Sequence, residues 1–190
     1  AIIAIDLGSG ARSVLSDAAT PSSGVAFIQP VAITIDAAND AAYVADQGRV
    51  NLVKVALDTG AREEFAVNPA AEEPALVFPL DIAFQQPNVG DRLFVTDATA
   101  NEVIVIDVAT GVSGVFAAPE PVVENNENEA LDSETEDAGT EETETLVLAY
   151  SQVRQLALQD GDLYVSDAGP FTSSGFIFYG AIFKVNVSGN

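Results

Sequence analysis

Residues 93–111, LFVTDATANEVIVIDVATG, contain a pattern that returns twice elsewhere in the chain. The opening pentad LFVTD has two close relatives, AYVAD at residues 42–46 and LYVSD at residues 163–167. The apolar segment that follows and ends at glycine also recurs, as NLVKVALDTG at residues 51–60 and GAIFKVNVSG at residues 180–189. The same unit of sequence is therefore written three times.

A further strand precedes each pentad, so the complete unit has four strands, which we call a, b, c and d. Pentad aspartates Asp46 and Asp97 lie 51 residues apart, which sets the period. A period near fifty made of four short strands is typical of β-propeller blades. A β-sandwich is the alternative, but a sandwich does not need an internally repeated sequence. The preceding strands are PVAITID (30–36), PLDIAF (79–84) and VRQLAL (153–158).

The predicted fold is all-β, a propeller of four-stranded antiparallel blades with three to four blades present of an expected six. Residues 1–10, AIIAIDLGSG, match only strand c and its turn, so the chain opens in the middle of a repeat. The expected strands number thirteen, which does not fill a closed ring. We therefore expect an arc whose end blades need cover from further blades or from another copy. The predicted parts are the outer half of a blade (1–17), two blades (30–67 and 79–117), an acidic disordered insertion (119–145) and an incomplete blade (153–190).

Composition excludes several functions. The chain has 190 residues, 48% of them apolar, and 29 acidic against seven basic residues give a formal charge of −22. A phosphate backbone or an anionic lipid surface is repelled by such a charge, so we predict neither nucleic-acid binding nor membrane insertion. The apolar runs are also too short for a membrane span.

The chain lacks cysteine and histidine. It therefore has no thiolate nucleophile, imidazole base or ordinary zinc site. We predict no cofactor, and any metal ion would be a hard one that takes oxygen ligands, such as calcium. An acid-rich surface with only two lysines fits a salty environment, although acidic drift gives the same composition. We predict an extracellular or periplasmic location.

Residues 93–111 resemble the YVTN and NHL-type propeller repeats, and AIIAIDLGSGARSVLSD is similar to repeats of bacterial exported propellers. Membership of the related gluconolactonase-like, six-bladed group would imply a divalent ion in the central channel, held near the starts of the innermost strands in a Pro-Asp-Gly setting. This sequence departs from that setting, since Val31 and Leu80 follow the prolines and Arg154 stands at the matching place. Asp81 is one step out of register.

The pentad aspartates Asp46, Asp97 and Asp167 have two interpretations. They could form a carboxylate ring that binds cations, or each could accept hydrogen bonds from amides of its own turn. Recurrence in every repeat favours the structural role, because a catalytic residue needs a unique place.

Two other groups of residues are candidates for binding. Arg154 and Asp81 could hold a small anionic ligand in the channel, or Arg154 could pair with an aspartate. The loop 170–180 could contact a partner or pack on a neighbouring blade, through the aromatic residues Phe171, Phe176, Phe178 and Tyr179.

The preferred functional prediction is a non-enzymatic, exported propeller that binds a protein or a small anion, with no catalytic residue assigned. One alternative is a metal-dependent hydrolase, lactonase or lyase that acts in the channel. The other is a structural component of an extracellular assembly.

Overall fold

A computed structural model of the chain describes residues 1–19, 24–65, 67–69, 75–85, 90–99, 101–116, 153–160, 162–167 and 181–187. These residues form strands and turns, with no helix among them. The acidic insertion 119–145 and the aromatic loop 170–180 lie outside the described residues. The strands are β1 (Ile2–Ile5), β2 (Arg12–Ser16), β3 (Pro30–Asp36), β4 (Ala41–Asp46), β5 (Asn51–Ala56), β6 (Arg62–Phe65), β7 (Asn68–Pro69), β8 (Pro79–Gln85), β9 (Arg92–Asp97), β10 (Glu102–Asp107), β11 (Val112–Val115), β12 (Val153–Gln159), β13 (Asp162–Asp167) and β14 (Ala181–Asn186).

The strands form four sheets, named I to IV in chain order. Sheet I is the pair β1-β2, and sheet II has the order β3-β4-β5-β6, with all neighbours antiparallel. Sheet III repeats that order as β8-β9-β10-β11, and sheet IV contains β12-β13-β14. The predicted all-β class and the four-stranded antiparallel unit are confirmed.

The hydrophobic core lies between successive sheets. Tyr43 of sheet II packs against Phe84 of sheet III, with the ring centroids 6.0 Å apart. On the opposite face of sheet III, Phe94 belongs to a buried cluster with Val153 and Leu163 of sheet IV. Because sheet III is covered on both faces, its strands are apolar almost throughout rather than alternating. Each fully buried side chain of this size contributes about 1.5–3 kcal/mol of transfer free energy.

The turns between strands c and d depend on glycine. Gly10, Gly60 and Gly111 have φ angles of 71°, 69° and 71°, in the left-handed region that glycine enters without steric cost. Each donates its amide to the carbonyl four residues earlier, which closes the same turn in three sheets.

The connections between sheets cover the outer edge of the next sheet, which the sequence did not predict. Strand β7 pairs in parallel with β11 and becomes a fifth strand of sheet III. In the equivalent place beside sheet II, Gly24 forms a parallel bridge with Arg62 of β6. An outer strand that would otherwise present unpaired backbone groups is partly protected in both sheets.

A β-bulge interrupts the beginning of every strand a. The pairing shifts between Pro30 and Ala32 in sheet II, and between Pro79 and Asp81 in sheet III. In sheet IV the irregularity lies between Val153 and Leu156. The predicted channel positions Val31, Leu80 and Arg154 all fall in these bulges.

Candidate functional site

The bulge of strand β8 joins sheet III to sheet IV through Asp81 and Thr96. The Asp81 amide donates to Thr96 Oγ1 at 3.0 Å, and Thr96 Oγ1 in turn donates to the carbonyl of Arg154 at 3.1 Å. The half-buried Asp81 carboxylate accepts from the Leu156 amide at 2.8 Å and from the Ile82 amide at 2.9 Å. Asp81 therefore uses both carboxylate oxygens as acceptors for backbone amides.

The structure brings the predicted pair Asp81 and Arg154 to the same end of neighbouring strands. Arg154 lies on β12, one position before Gln155, which is the equivalent of Asp81. The Arg154 side chain is exposed, while its carbonyl belongs to the hydrogen-bond network around Thr96. Asp81 enters this network through its amide and its carboxylate, and Arg154 enters it through its carbonyl.

A cavity of about 310 Å³ lies next to Asp81, on the exposed face of sheet IV. Within it the Gln155 amide donates to Ser166 Oγ at 3.0 Å, which reproduces the bond between Asp81 and Thr96. The cavity is large enough for a small molecule, and its lining combines carboxamide, hydroxyl and apolar groups that suit a small polar one. The lining includes Asp81, Gln155, Leu156, Ala157, Tyr164 and Ser166.

Asp46 is completely buried at the end of β4. Its carboxylate accepts from the amides of Ile28 and Gln29, both at 2.8 Å, and from the amide of Arg49 at 3.2 Å. The Arg49 bond lies within the turn that follows β4. The other two reach the segment that leads into strand a, so this carboxylate fixes both ends of the a–b hairpin.

Asp97 repeats this arrangement in sheet III. It is completely buried, and it accepts from the amides of Val77 at 2.6 Å, Phe78 at 2.9 Å and Thr99 at 3.0 Å. The third pentad aspartate, Asp167, pairs through its backbone with Val153 and Ala181. Its side chain lies outside what the structure describes.

Sequence reasoning missed Arg62, which is 7% exposed and joins sheet I to sheet II. Its guanidinium donates to the carbonyl of Val25 at 2.7 Å, to Ser16 Oγ at 2.9 Å and to the carbonyl of Asp17. It also lies 5.2 Å from the ring centroid of Phe27. The only sequence signal was the repeated Gly-Ala-Arg at residues 10–12 and 60–62, which does not reveal burial.

Burial and local bonds shift the pKa values of several groups. Burial raises the pKa of Tyr43 to about 12, and nearby carboxylates, Asp36 first, add to the effect. The Thr110 hydroxyl and amide lower the pKa of Asp107, and Ser9 does the same for Asp6. The Asp162 carboxylate, 2.8 Å from Lys184 Nζ, raises the pKa of that lysine.

Within the described ranges, no group of three acidic residues is placed so that it could hold a metal ion. No helix long and apolar enough to cross a membrane occurs in that same part of the chain. No family model matches the chain, and no curated protein matches it significantly.

Proposed function

We propose that the protein is a non-enzymatic β-propeller module, exported from the cell, that serves as a rigid platform for binding a protein or a small anion. The described residues are an arc of the ring, with six blades expected when it is complete. Sheets II and III supply whole blades in this proposal, and sheets I and IV supply parts of two others.

The packing of the sheets supports the propeller. Sheets II, III and IV share the strand order a, b, c and follow one another face to face in chain order. The innermost strands are linked directly, by the Phe84 amide donating to Thr34 Oγ1 at 3.1 Å and by the bond from Leu156 to Asp81. Repeated sheets that contact only their neighbours are expected of blades around an axis.

The use of the carboxylates is the observation that carries the non-enzymatic assignment. Asp46, Asp81 and Asp97 are the candidate aspartates whose side chains the structure describes. Each accepts hydrogen bonds from two or more backbone amides. Catalytic carboxylates and metal ligands direct oxygens at a substrate or an ion. Here the oxygens hold turns and neighbouring sheets together.

A thermal-shift titration with calcium, magnesium and a chelator tests this assignment. We expect both ions to raise Tm slightly and by similar amounts, because diffuse cations screen the charge of −22. The variant Asp81→Ala should show the same increments as the wild-type chain. A saturable shift from one divalent ion, lost in Asp81→Ala, would instead support the metal-dependent hydrolase.

Fractionation of the source cells with an antibody against the chain tests the location. The exported module should appear in the periplasmic or extracellular fraction. Recovery of the chain only in fractions that contain cytosolic markers would contradict export. It would not bear on the structural role of Asp81.

A further inference from the structure

The two ends of sheets II and III differ in the exposure of their aspartates. At one end, which we call the pentad end, strand b finishes at the pentad aspartate and strand a begins. Asp46 and Asp97, the pentad aspartates of these sheets, are completely buried. The exposed aspartates of the two sheets lie in or beside the turns at the opposite end, and they are Asp40, Asp58 and Asp107.

The pentad end exposes large apolar side chains instead, which we call the apolar patch. Its members are Ile28, Val50, Val77 and Phe78, which are 64%, 44%, 47% and 43% exposed. Val77 and Phe78 lead into sheet III, which has sheets packed on both faces, so a missing neighbour does not explain their exposure. Ile28 holds the place in sheet II that Val77 holds in sheet III, since each donates its amide to the pentad aspartate.

The apolar patch crosses the junction between sheets II and III. Gln47 joins its two parts, because the side-chain amide of Gln47 donates to the carbonyl of Pro79 at 3.2 Å. The side-chain carbonyl of Gln47 accepts from Gln29 Nε2 at 2.8 Å. Ile28 directly precedes Gln29 and Phe78 directly precedes Pro79, so the members of the patch from both sheets are held beside one another.

Val50 holds a backbone conformation that valine disfavours. Its φ angle of 56° lies in the left-handed region, where a β-branched residue is strained. Sheet III has Asn101 at this place, with a φ angle of 58° and its Oδ1 accepting from the Val153 amide at 3.0 Å. In sheet II the corresponding residue of the next sheet is Pro79, which has no amide proton to donate. Glycine or asparagine would avoid the strain, so the turn does not require valine, and strain of this kind occurs at binding sites.

The charged groups beside the apolar patch are paired within the chain. The guanidinium of Arg49, next to Val50, donates to the Ala26 carbonyl at 2.7 Å and lies 3.9 Å from the Glu64 carboxylate. A partner that covers the patch therefore needs an apolar surface and does not need to bring a complementary charge.

We propose that the apolar patch is the contact between two copies of this chain, which meet pentad end to pentad end about a two-fold axis. The same side chains from each copy would form the centre of the contact. A six-residue strand spans about 20 Å, which exceeds the screening length of about 8 Å in physiological salt. The exposed aspartates of the two copies would therefore lie at the outer ends of the dimer, where salt screens their repulsion.

A second copy fits the apolar patch better than a basic protein does. A basic partner would be drawn to the opposite end, where the exposed aspartates lie. Another acidic protein would be repelled by the charge of −22 unless its own carboxylates were kept away from the contact. A second copy meets that condition, because its pentad aspartates are buried.

Sedimentation equilibrium of the 190-residue chain tests the proposal, at about 10 µM to 1 mM chain because a contact of this size is weak. The measurements are made in about 0.15 M and 1 M NaCl. Val77→Lys and Val112→Lys form a matched pair, since both valines are 47% exposed and Val112 lies at the opposite end of sheet III. Each lysine makes the chain less negative, so repulsion between copies cannot explain a loss of association. Val50→Asn gives sheet II the residue that sheet III has.

We expect an equilibrium between monomer and dimer that shifts toward dimer at the higher salt concentration. Val77→Lys should raise the dissociation constant by about tenfold or more, because each dimer buries the new charge twice, whereas Val112→Lys should not raise it. Val50→Asn should raise the dissociation constant by about threefold or more, since it removes apolar area from the contact. It should not lower the urea midpoint of unfolding, because asparagine tolerates the left-handed region.

Urea unfolding checks that each variant is folded, and Val50→Asn decides the outcome if Val77→Lys does not fold. A chain that stays monomeric at every concentration in both salt solutions would overturn the proposal. A dimer that survives both Val77→Lys and Val50→Asn would overturn it as well, because the copies would then meet through another surface. So would equal weakening by Val112→Lys, or a dimer that dissociates as the salt concentration rises.

Discussion

Sheets II and III have the same strand order and the same pentad carboxylate, but they differ at the bulge of strand a. Asp46 and Asp97 make equivalent bonds to the segment that enters strand a. In contrast, sheet III has Asp81 where sheet II has Ala32. Shared residues therefore hold each sheet together, whereas Asp81 holds one sheet to the next. Substitutions at positions where the two sheets agree or differ therefore separate bonds within a sheet from bonds between sheets.

The largest effect is expected at the shared carboxylate. Asp97→Ala leaves the amides of Val77, Phe78 and Thr99 without their acceptor, and we expect a loss of about 3–5 kcal/mol in the free energy of unfolding. Urea unfolding measures it, with Asp58→Ala at an exposed turn as the control. If Asp97→Ala costs no more than the control, the carboxylate has no structural role.

The aromatic residue of the pentad differs between the sheets, because Tyr43 and Phe94 occupy equivalent positions. Burial raises the pKa of Tyr43 to about 12, so the folded state holds the phenolic proton more tightly. Its stabilising contribution is complete below the unfolded pKa of about 10 and is lost as pH rises toward 12.

We therefore compare wild type with Tyr43→Phe by urea unfolding from pH 9 to pH 12. Over this range the free energy of unfolding of wild type should fall by up to about 2–3 kcal/mol more than that of the variant. The reason is that only wild type has an ionisable group at position 43. Parallel curves for the two proteins would show that Tyr43 titrates normally.

Asp81→Ala converts the bulge of sheet III to that of sheet II. Leu156 loses its acceptor, and we expect a loss of about 1–2 kcal/mol in the free energy of unfolding. Thr96→Val should be non-additive with it because both residues belong to one network, while Thr96→Ser should keep most of the stability. Simple additivity would argue against the network.

The smallest effect is expected at Asp107, where sheet II has Ala56. Asp107 is exposed and its pKa is lowered by Thr110, so its contribution is present above the unfolded pKa and disappears as pH falls through the folded one. Asp107→Ala should change stability by less than about 0.5 kcal/mol at pH 7 and should reduce the difference between pH 7 and pH 3. A larger loss of unfolding free energy at neutral pH would contradict this, and would mean that the bonds of Asp107 are needed to form the c–d hairpin.

Strand order and class could be predicted from sequence because both depend on local signals that recur. The pentads, the apolar segments and the turn glycines each mark an element within a few residues. Strand β7 could not be predicted, since Asn68 and Pro69 have poor strand propensity and pair only because they run beside β11.

The candidate site was harder to predict, since its geometry depends on packing between sheets. Asp81 and Leu156 are 75 residues apart, and nothing in either strand reveals their hydrogen bond. The sequence made Asp81, together with Arg154, a candidate for holding a small anionic ligand. The structure shows that the Asp81 carboxylate accepts a hydrogen bond from an amide of sheet IV. The buried Arg62 was missed for the same reason.

Amide hydrogen exchange at Leu156 in wild type and in Asp81→Ala tests most directly whether Asp81 links the sheets. We predict that the Leu156 amide exchanges at least about tenfold faster in the variant, because it loses its acceptor, while the amides of Val77 and Phe78, bound by Asp97, keep their rates. Unchanged exchange at Leu156 would contradict the structural assignment of Asp81.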